Sequence, residues 1–338
     1  MRQATMTAPG AIRIGEVEAP AAGAGQVLLR VQRIGVCGSD VHVYHGKHPF
    51  TPYPVVQGHE FSAVVEAVGA GVTGIKVGDR VTATPQETCG TCLPCLRGDY
   101  HICDSLRVRG FQAPGCAQDL FVTEAEKIVP LPDAFSFEQG AFVEPVAVGV
   151  HAVSRVGEVK GRNVAVLGAG PIGNLLAQVA CAAGACTLIT DISDFRLAVA
   201  RQCGLDTVSN AADEPLDAAA RRAFGSQGFD IVFECAGVEQ TINAAIGSIR
   251  KGGTIVLVGV YGETPRLNIG LVQDRELSLI GTLMYKYEDF RQAVQLIADR
   301  QVVTEPLDSR HFPFADYPNA YQFIDQACDR SMKVFIDL

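Results

Sequence analysis

The segment NVAVLGAGPIGNLLAQVACAAGACTLITD, residues 163–191, leaves the chain few folds to choose from. A short apolar run without alternation reads as a strand buried on both faces, and it opens directly onto an apolar helical run closed by Gly184. Between the two, Gly168, Gly170 and Gly173 make a G-x-G-x-x-G turn that also contains Pro171 and Ile172. Alone, that spacing is weak. Here it follows a strand, opens a helix, and is followed by Asp191 eighteen residues beyond Gly173, the setting a dinucleotide fingerprint requires. The glycines permit a tight turn and close approach of a pyrophosphate, whose charge a helix N-terminus favours. Pro171 suits the first helical turn, where a missing N–H costs nothing. Asp191 can accept hydrogen bonds from both ribose hydroxyls and would repel a 2′-phosphate, so the expected cofactor is NAD rather than NADP. Arg196 could meet such a phosphate, but it reads as a solvated surface charge.

The alternation continues through GFDIVFECAG, a helix from Glu239 to Arg250, GGTIVLVGV and ELSLIGTL, the pattern of an α/β, doubly wound parallel sheet. Residues 149–287 are therefore expected to form a Rossmann domain. Its cysteines, Cys181, Cys186, Cys203 and Cys235, read as core filler. Beyond Tyr287 come an amphipathic helix with Phe290, Ala293, Val294 and Ile297 on one face, a second helix in PNAYQFIDQACD, and a final strand, KVFIDL. This tail is expected to rejoin the first part of the chain. Residues 1–148 and 288–338 then make one domain, with the nucleotide cleft against it. A length of 338 residues makes two domains the default.

Residues 2–146 read differently. VLLRVQRIGVCG, HEFSAVVEAVGAGV and DRVTATP are short β-branched runs ended by glycine or proline, and no helix beyond a turn or two is convincing. An irregular, mostly β domain is expected. Within it CGTCLPCLRGDYHIC sets Cys89, Cys92, Cys95 and Cys103 at C-x2-C-x2-C-x7-C. Four thiolates this close suit a closed tetrahedral zinc site that stiffens a loop poor in apolar residues. An iron–sulfur cluster is the other group four cysteines can hold. Earlier, the stretch from Ile34 to Phe61 collects Cys37, Ser39, His42, His59 and Glu60. Thiol, imidazole and carboxylate are ligand types zinc accepts, although a buried cysteine with two surface histidines is the plainer alternative.

Composition narrows the function classes. A net charge of −9 with no basic block argues against nucleic acid and anionic membrane surfaces. No apolar run reaches the roughly eighteen residues a membrane span needs. MRQATMTAPG lacks the charged-then-apolar pattern of a secretory signal, so the eleven cysteines read as thiols and metal ligands in a reducing, cytoplasmic setting. A cation near Cys37 would acidify a hydroxyl, as zinc lowers the pKa of water from about 15.7 to about 7, and so ease hydride loss to a nicotinamide. Ser39 and His42, two and five positions past Cys37, could carry the proton away, or they are a turn residue and a surface histidine.

The chain resembles the zinc-dependent medium-chain alcohol/polyol dehydrogenase family, most of all its sorbitol (L-iditol) dehydrogenase-like branch, which also contains sugar-acid 5-dehydrogenases. The likeness covers nearly the whole chain and rests on GVCGSDVH, GHE, the four-cysteine loop, VEPVAVGVHA, and GAGPIG followed by Asp191. It implies a GroES-like catalytic domain beside the Rossmann domain, and two Zn2+ per chain. Cys37, His59, Glu60 and Glu144 would hold the catalytic zinc, and Cys89, Cys92, Cys95 and Cys103 the structural one. Ser39 and His42 match the proton-relay positions. Gly237 and the backbone from Val258 to Val260 match the part that approaches the nicotinamide. The implied reaction moves a hydride between NAD and a secondary hydroxyl of a polyol, sugar acid or cyclitol, in a homotetramer or homodimer.

Glu144 stands where alcohol dehydrogenases have a second cysteine. A carboxylate there leaves a harder, more exchangeable zinc, and a charge within the apolar run GAFVEPVAVGV needs a partner. One departure is visible: sorbitol dehydrogenases place an arginine just before a tyrosine where this chain has Met284 before Tyr285, with Lys286 next. His45, Lys47 and His48 could meet a carboxylate or hydroxyls, or belong to a polar loop. A threonine-type amino-alcohol dehydrogenase, sharing GHE and the glutamate, and a non-catalytic NAD-binding scaffold or sensor remain as alternatives.

Overall fold

Two of the early β-branched runs pair with each other. Gln26–Val36 lies antiparallel to Glu60–Val68, from Val27 opposite Val68 to Gly35 opposite Glu60. In the structure, a computed structural model describing residues 1–338, they are central in a mixed sheet. Its order is Asp308–Pro313, Lys333–Asp337, Gln26–Val36, Glu60–Val68, Arg80–Ala83 and Ile128–Pro130, with Leu120–Glu124 also paired to Gln26–Val36. The KVFIDL strand therefore closes on the first long strand, Val334 opposite Val36. Val27, Leu29, Val31, Phe61, Ala63 and Val65 are buried in its core, together with Tyr317 and Tyr321 from the helix Tyr317–Ala327.

The second sheet has six parallel strands in the order Val208–Asn210, Cys186–Asp191, Asn163–Leu167, Ile231–Glu234, Thr254–Leu257 and Ser278–Gly281. Strand order reverses at Asn163–Leu167, which is where doubly wound sheets open a crevice at their carboxyl ends. Val164 to Leu167 are all buried, which explains the run without alternation.

By internal contacts the chain forms two units, Met1–Glu144 with Lys286–Ala298 and Asp308–Leu338, and Pro145–Tyr285 with Asp299–Leu307. The sequence pattern assigns everything from 288 onward to the first unit, yet Asp299–Leu307 packs in the second. There Gln178 Nε2 donates to the Val303 carbonyl (3.0 Å) and Gln178 Oε1 accepts from its N–H (2.6 Å).

Two other expectations need correction. The helix Phe137–Ser154 begins inside the stretch read as helix-poor. Ala141, Phe142, Val143, Val146, Ala147 and Val150 are all buried, so it carries no amphipathic stripe, and its valines and Pro145 further disguise it. Cys181 and Cys186 are exposed, leaving Cys203 as the fully buried one of the four supposed core cysteines. No helix is long and apolar enough to cross a membrane.

Candidate active site

Strand register assembles the first cluster. Because Gly35 faces Glu60, Cys37 just past the end of one strand meets His59 just before the start of the other. A Cβ on Gly35 would come within 2.5 Å of Glu60 Oε2, so the glycine makes room for that carboxylate. The Cys37 sulfur, one His59 nitrogen and one Glu60 oxygen lie within 4.8 Å of one another. Glu60 Oε1 and His59 Nδ1 are buried without a hydrogen-bond partner. Burial pushes the Cys37 thiol above its ordinary value, Glu60 adds to the push, and His59 opposes it. A divalent cation would satisfy the Glu60 oxygen and the Cys37 thiol together, and the donor set of sulfur, nitrogen and oxygen fits zinc.

Asp40 and Lys333, which the sequence pattern did not single out, surround this cluster. Asp40 is buried on the helix Gly38–Tyr44. Its Oδ2 accepts the Cys37 N–H (3.0 Å), and its Oδ1 lies 3.7 Å from His59 Nδ1. Gln57 Nε2 donates to Asp40 Oδ1 (3.3 Å), while Gln57 Oε1 accepts from the Tyr321 hydroxyl (2.8 Å). An acid behind a histidine fixes ring orientation at metal sites. Lys333 is buried and donates to Glu60 Oε2. The signal for Asp40 was its place three residues after Cys37. A lysine starting an apolar C-terminal strand is the only trace of Lys333 in the sequence.

Ser39 and His42 lie three apart on Gly38–Tyr44, hence on one face. Burial, with Lys47 and His45, lowers His42, which keeps its imidazole free to accept a proton near neutrality. Glu144 is buried in Phe137–Ser154 and contributes to the charge felt by His59 and Lys333, but it stands outside the three-residue cluster. Lys286, beside Met284 and Tyr285, donates to Asp99 (2.8 Å).

The sulfurs of Cys89, Cys92, Cys95 and Cys103 form a second group within 4.8 Å. The Cys89 N–H points to Cys103 sulfur (3.3 Å), and the Cys92 N–H to Cys89 sulfur (3.3 Å). Backbone N–H groups of Thr91 and Cys92 bring the Cys89 thiol down to about 6, while burial and the neighbouring sulfurs push Cys95 up to about 12. None of the four is in a disulfide.

In the second unit the glycine turn has the shape a dinucleotide needs. Gly168 takes φ +102°, and a Cβ on Gly173 would sit 1.8 Å from the Gly168 carbonyl. Gly170 is the N-cap of the helix Pro171–Ala182, and no atom crowds its Cβ position. Asp191 ends its strand, accepting from Ala169 N–H (2.6 Å) and Ser193 N–H (2.9 Å). Arg196 is not a free surface charge: it is half-buried, with Nη1 3.9 Å from Asp191 Oδ2. Its N–H caps the start of its helix by donating to Ser193 Oγ (3.4 Å). Gly237, with φ +67°, and Val258 to Val260 lie at the carboxyl ends of neighbouring strands.

Fold and side chains together define a zinc-binding dehydrogenase, and comparison with known proteins agrees. Residues 23–133 match the alcohol dehydrogenase GroES-like domain and residues 171–299 the zinc-binding dehydrogenase domain. The 2-dehydro-3-deoxy-L-galactonate 5-dehydrogenase of Pseudoalteromonas atlantica is 36% identical, covering 89% of each chain. A sorbitol dehydrogenase of Halalkalibacterium halodurans is 32% identical over 95% of this chain and 94% of its own. Among solved structures, a Sinorhizobium meliloti chain bound to NADP superposes with TM-score 0.92 at 28% identity, covering 100% of this chain and 99% of its own. A dehydrogenase of Escherichia coli CFT073 complexed with NADH gives TM-score 0.91 at 28% identity and the same coverage. The chain belongs to the zinc-binding, GroES-like alcohol dehydrogenase family and is an oxidoreductase of its alcohol/polyol type.

Proposed function

We propose that this enzyme moves a hydride between NAD and a secondary hydroxyl of a polyol, sugar acid or cyclitol. The observation that carries this reading is the buried Cys37–His59–Glu60 cluster with an unpartnered Glu60 oxygen, on a chain that also has the glycine turn and Asp191. When bound, zinc supplies Lewis acidity and the nicotinamide supplies the hydride acceptor. Cys37, His59 and Glu60 hold the catalytic metal, with Glu144 as the further carboxylate, and the four-cysteine loop holds a second zinc. Asp40 orients His59. Lys333 offsets the charge of Glu60. Ser39 Oγ passes the released proton to the His42 imidazole, which stays neutral enough to take it.

The N–H groups at the start of Pro171–Ala182, with Gly168 to Gly173, bind the pyrophosphate, and Asp191 accepts from the adenosine ribose. Preference for NAD over NADP rests on the Asp191 charge, against which Arg196 works. The unit of Met1–Glu144, Lys286–Ala298 and Asp308–Leu338 acts as the catalytic domain, and that of Pro145–Tyr285 with Asp299–Leu307 as the NAD domain. The edge strand Ser278–Gly281, with Leu283 exposed, suits pairing with a second copy in a homodimer or homotetramer, and the setting is cytoplasmic. Sorbitol itself is the less favoured member of this group, because Met284 stands where sorbitol dehydrogenases have an arginine and Lys286, paired with Asp99, does not replace it. The test is turnover with NAD on a panel of polyols, sugar acids, cyclitols and threonine, alongside metal analysis. Activity on one of the first three with two zinc per chain is expected. Activity on threonine alone, or NAD binding without turnover, replaces this reading with the amino-alcohol dehydrogenase or the scaffold.

A further inference from the structure

Glu234 is the last residue of the strand Ile231–Glu234, at the carboxyl end of the parallel sheet, and it is fully buried. An ionised carboxylate out of water is costly unless its lone pairs are satisfied. Here five bonds do so. Oε1 accepts from the Ala236 N–H (3.0 Å), the Gly237 N–H (3.0 Å) and the Thr241 hydroxyl (2.7 Å). Oε2 accepts from the Gly237 N–H (3.2 Å) and the Tyr261 hydroxyl (2.7 Å). Its main-chain carbonyl accepts from Val258 (2.9 Å) and Gly259 (2.8 Å) on the neighbouring strand's extension. Burial and then Glu234 itself push the Tyr261 phenol up, so it remains a donor across the neutral range.

The two strand extensions touch backbone to backbone. A Cβ on Gly237 would lie 2.6 Å from the Val260 carbonyl, and one on Gly259 would lie 2.4 Å from the Gly237 nitrogen. One side chain therefore grips the amides of the first extension and, through Tyr261, the end of the second. It leaves the outer edges at Val238 and Val260 exposed. A purely structural clamp would need no exposed, backbone-lined edge at the end of the sheet where ligands bind.

We propose that Glu234 is a positioning residue for the nicotinamide half of the dinucleotide: it fixes the backbone of Gly237, Val258 and Val260 against which that ring and its carboxamide are held. The inference rests on the proposed NAD reading. The experiment compares NADH with ADP-ribose, which lacks the nicotinamide, by calorimetry on the zinc-loaded protein and on Glu234→Gln and Tyr261→Phe. In Glu234→Gln an amide N–H must face a donor, so the NADH Kd should rise about tenfold while the ADP-ribose Kd moves by less than about twofold. The KM for NAD should rise with kcat falling too, since hydride transfer depends on ring placement. Tyr261→Phe removes one bond of the five and should shift the same ratio about threefold. It carries the test if Glu234→Gln does not fold. Equal losses for both ligands, or no loss in either variant, overturn the positioning role. A wild-type protein that binds neither ligand instead overturns the NAD reading beneath it.

Discussion

Lys333 Nζ stands 2.5 Å from Glu60 Oε2, and the two side chains are only 4% and 1% exposed. Breaking such a pair from one side leaves a lone buried charge, at a cost of about 3–5 kcal/mol. Lys333→Met should therefore lower the unfolding midpoint of the zinc-free protein strongly. The zinc-loaded protein should lose less, because the metal compensates Glu60. Melting curves with and without chelator check this; equal losses in both states would mean that Glu60 does not face the metal.

Cys37→Ala should abolish turnover while leaving NADH affinity and the fold intact, because Cys37 lies in the first unit and the glycine turn in the second. Metal analysis should fall from two zinc to one. A variant that kept its rate would remove Cys37 from the metal site.

Cys95→Ala should act on stability instead. The lobe around it exposes Leu93 and Leu96 and has little core of its own, so loss of one thiolate removes the cross-link that orders it. The expected result is a lower melting temperature and one zinc per chain, with the surviving folded fraction still active. Full loss of turnover at unchanged stability would contradict this.

Asp191→Ala should weaken NAD binding about tenfold or more and raise the NADP-to-NAD ratio of kcat/KM. Removing the carboxylate also releases Arg196, now 3.9 Å from it, to meet a 2′-phosphate. The double variant with Arg196→Ala should lose the gain for NADP but not the loss for NAD.

His311 gives a pH dependence away from the metal. Its Nδ1 lies 2.8 Å from Asp337 Oδ1 and its Nε2 2.9 Å from Asp308, with Arg33 Nε 3.1 Å from the same Asp337 oxygen. Burial lowers its pKa, but the two carboxylates outweigh burial and the net direction is upward from 6.5. A raised folded-state value means stabilisation that is complete below 6.5 and fades as pH climbs through the folded value. The melting-temperature gap between wild type and His311→Gln should thus be wide near about pH 5.5 and narrow near about pH 9. A gap that widened with pH would reverse the sign.

The sequence disclosed those parts of the site whose residue types are chemically conspicuous and close in the chain: the glycine turn with Asp191, the four cysteines, and GHE after Cys37. It hid what depends on long-range pairing. Lys333 and Glu60 are 273 positions apart and meet only because the last strand and the Glu60 strand flank Gln26–Val36. Glu234 looks like any polar residue ending a strand until its four donors are seen. Phe137–Ser154 escaped because a helix buried all round has no stripe, and Arg196 because its partner Asp191 lies before the turn that opens its helix.

Gly35 opposite Glu60 also separates two tasks along the chain. The ladder between two long strands pins the ends of the excursion from Gly38 to Gly58, whatever its middle contains. The middle of that span, with His45, Lys47 and His48, can lengthen, shorten or be exchanged as long as Ser39, Asp40, His42 and Gln57 nearer its ends are kept, so new selectivity can be grafted there while the reaction centre stays as it is.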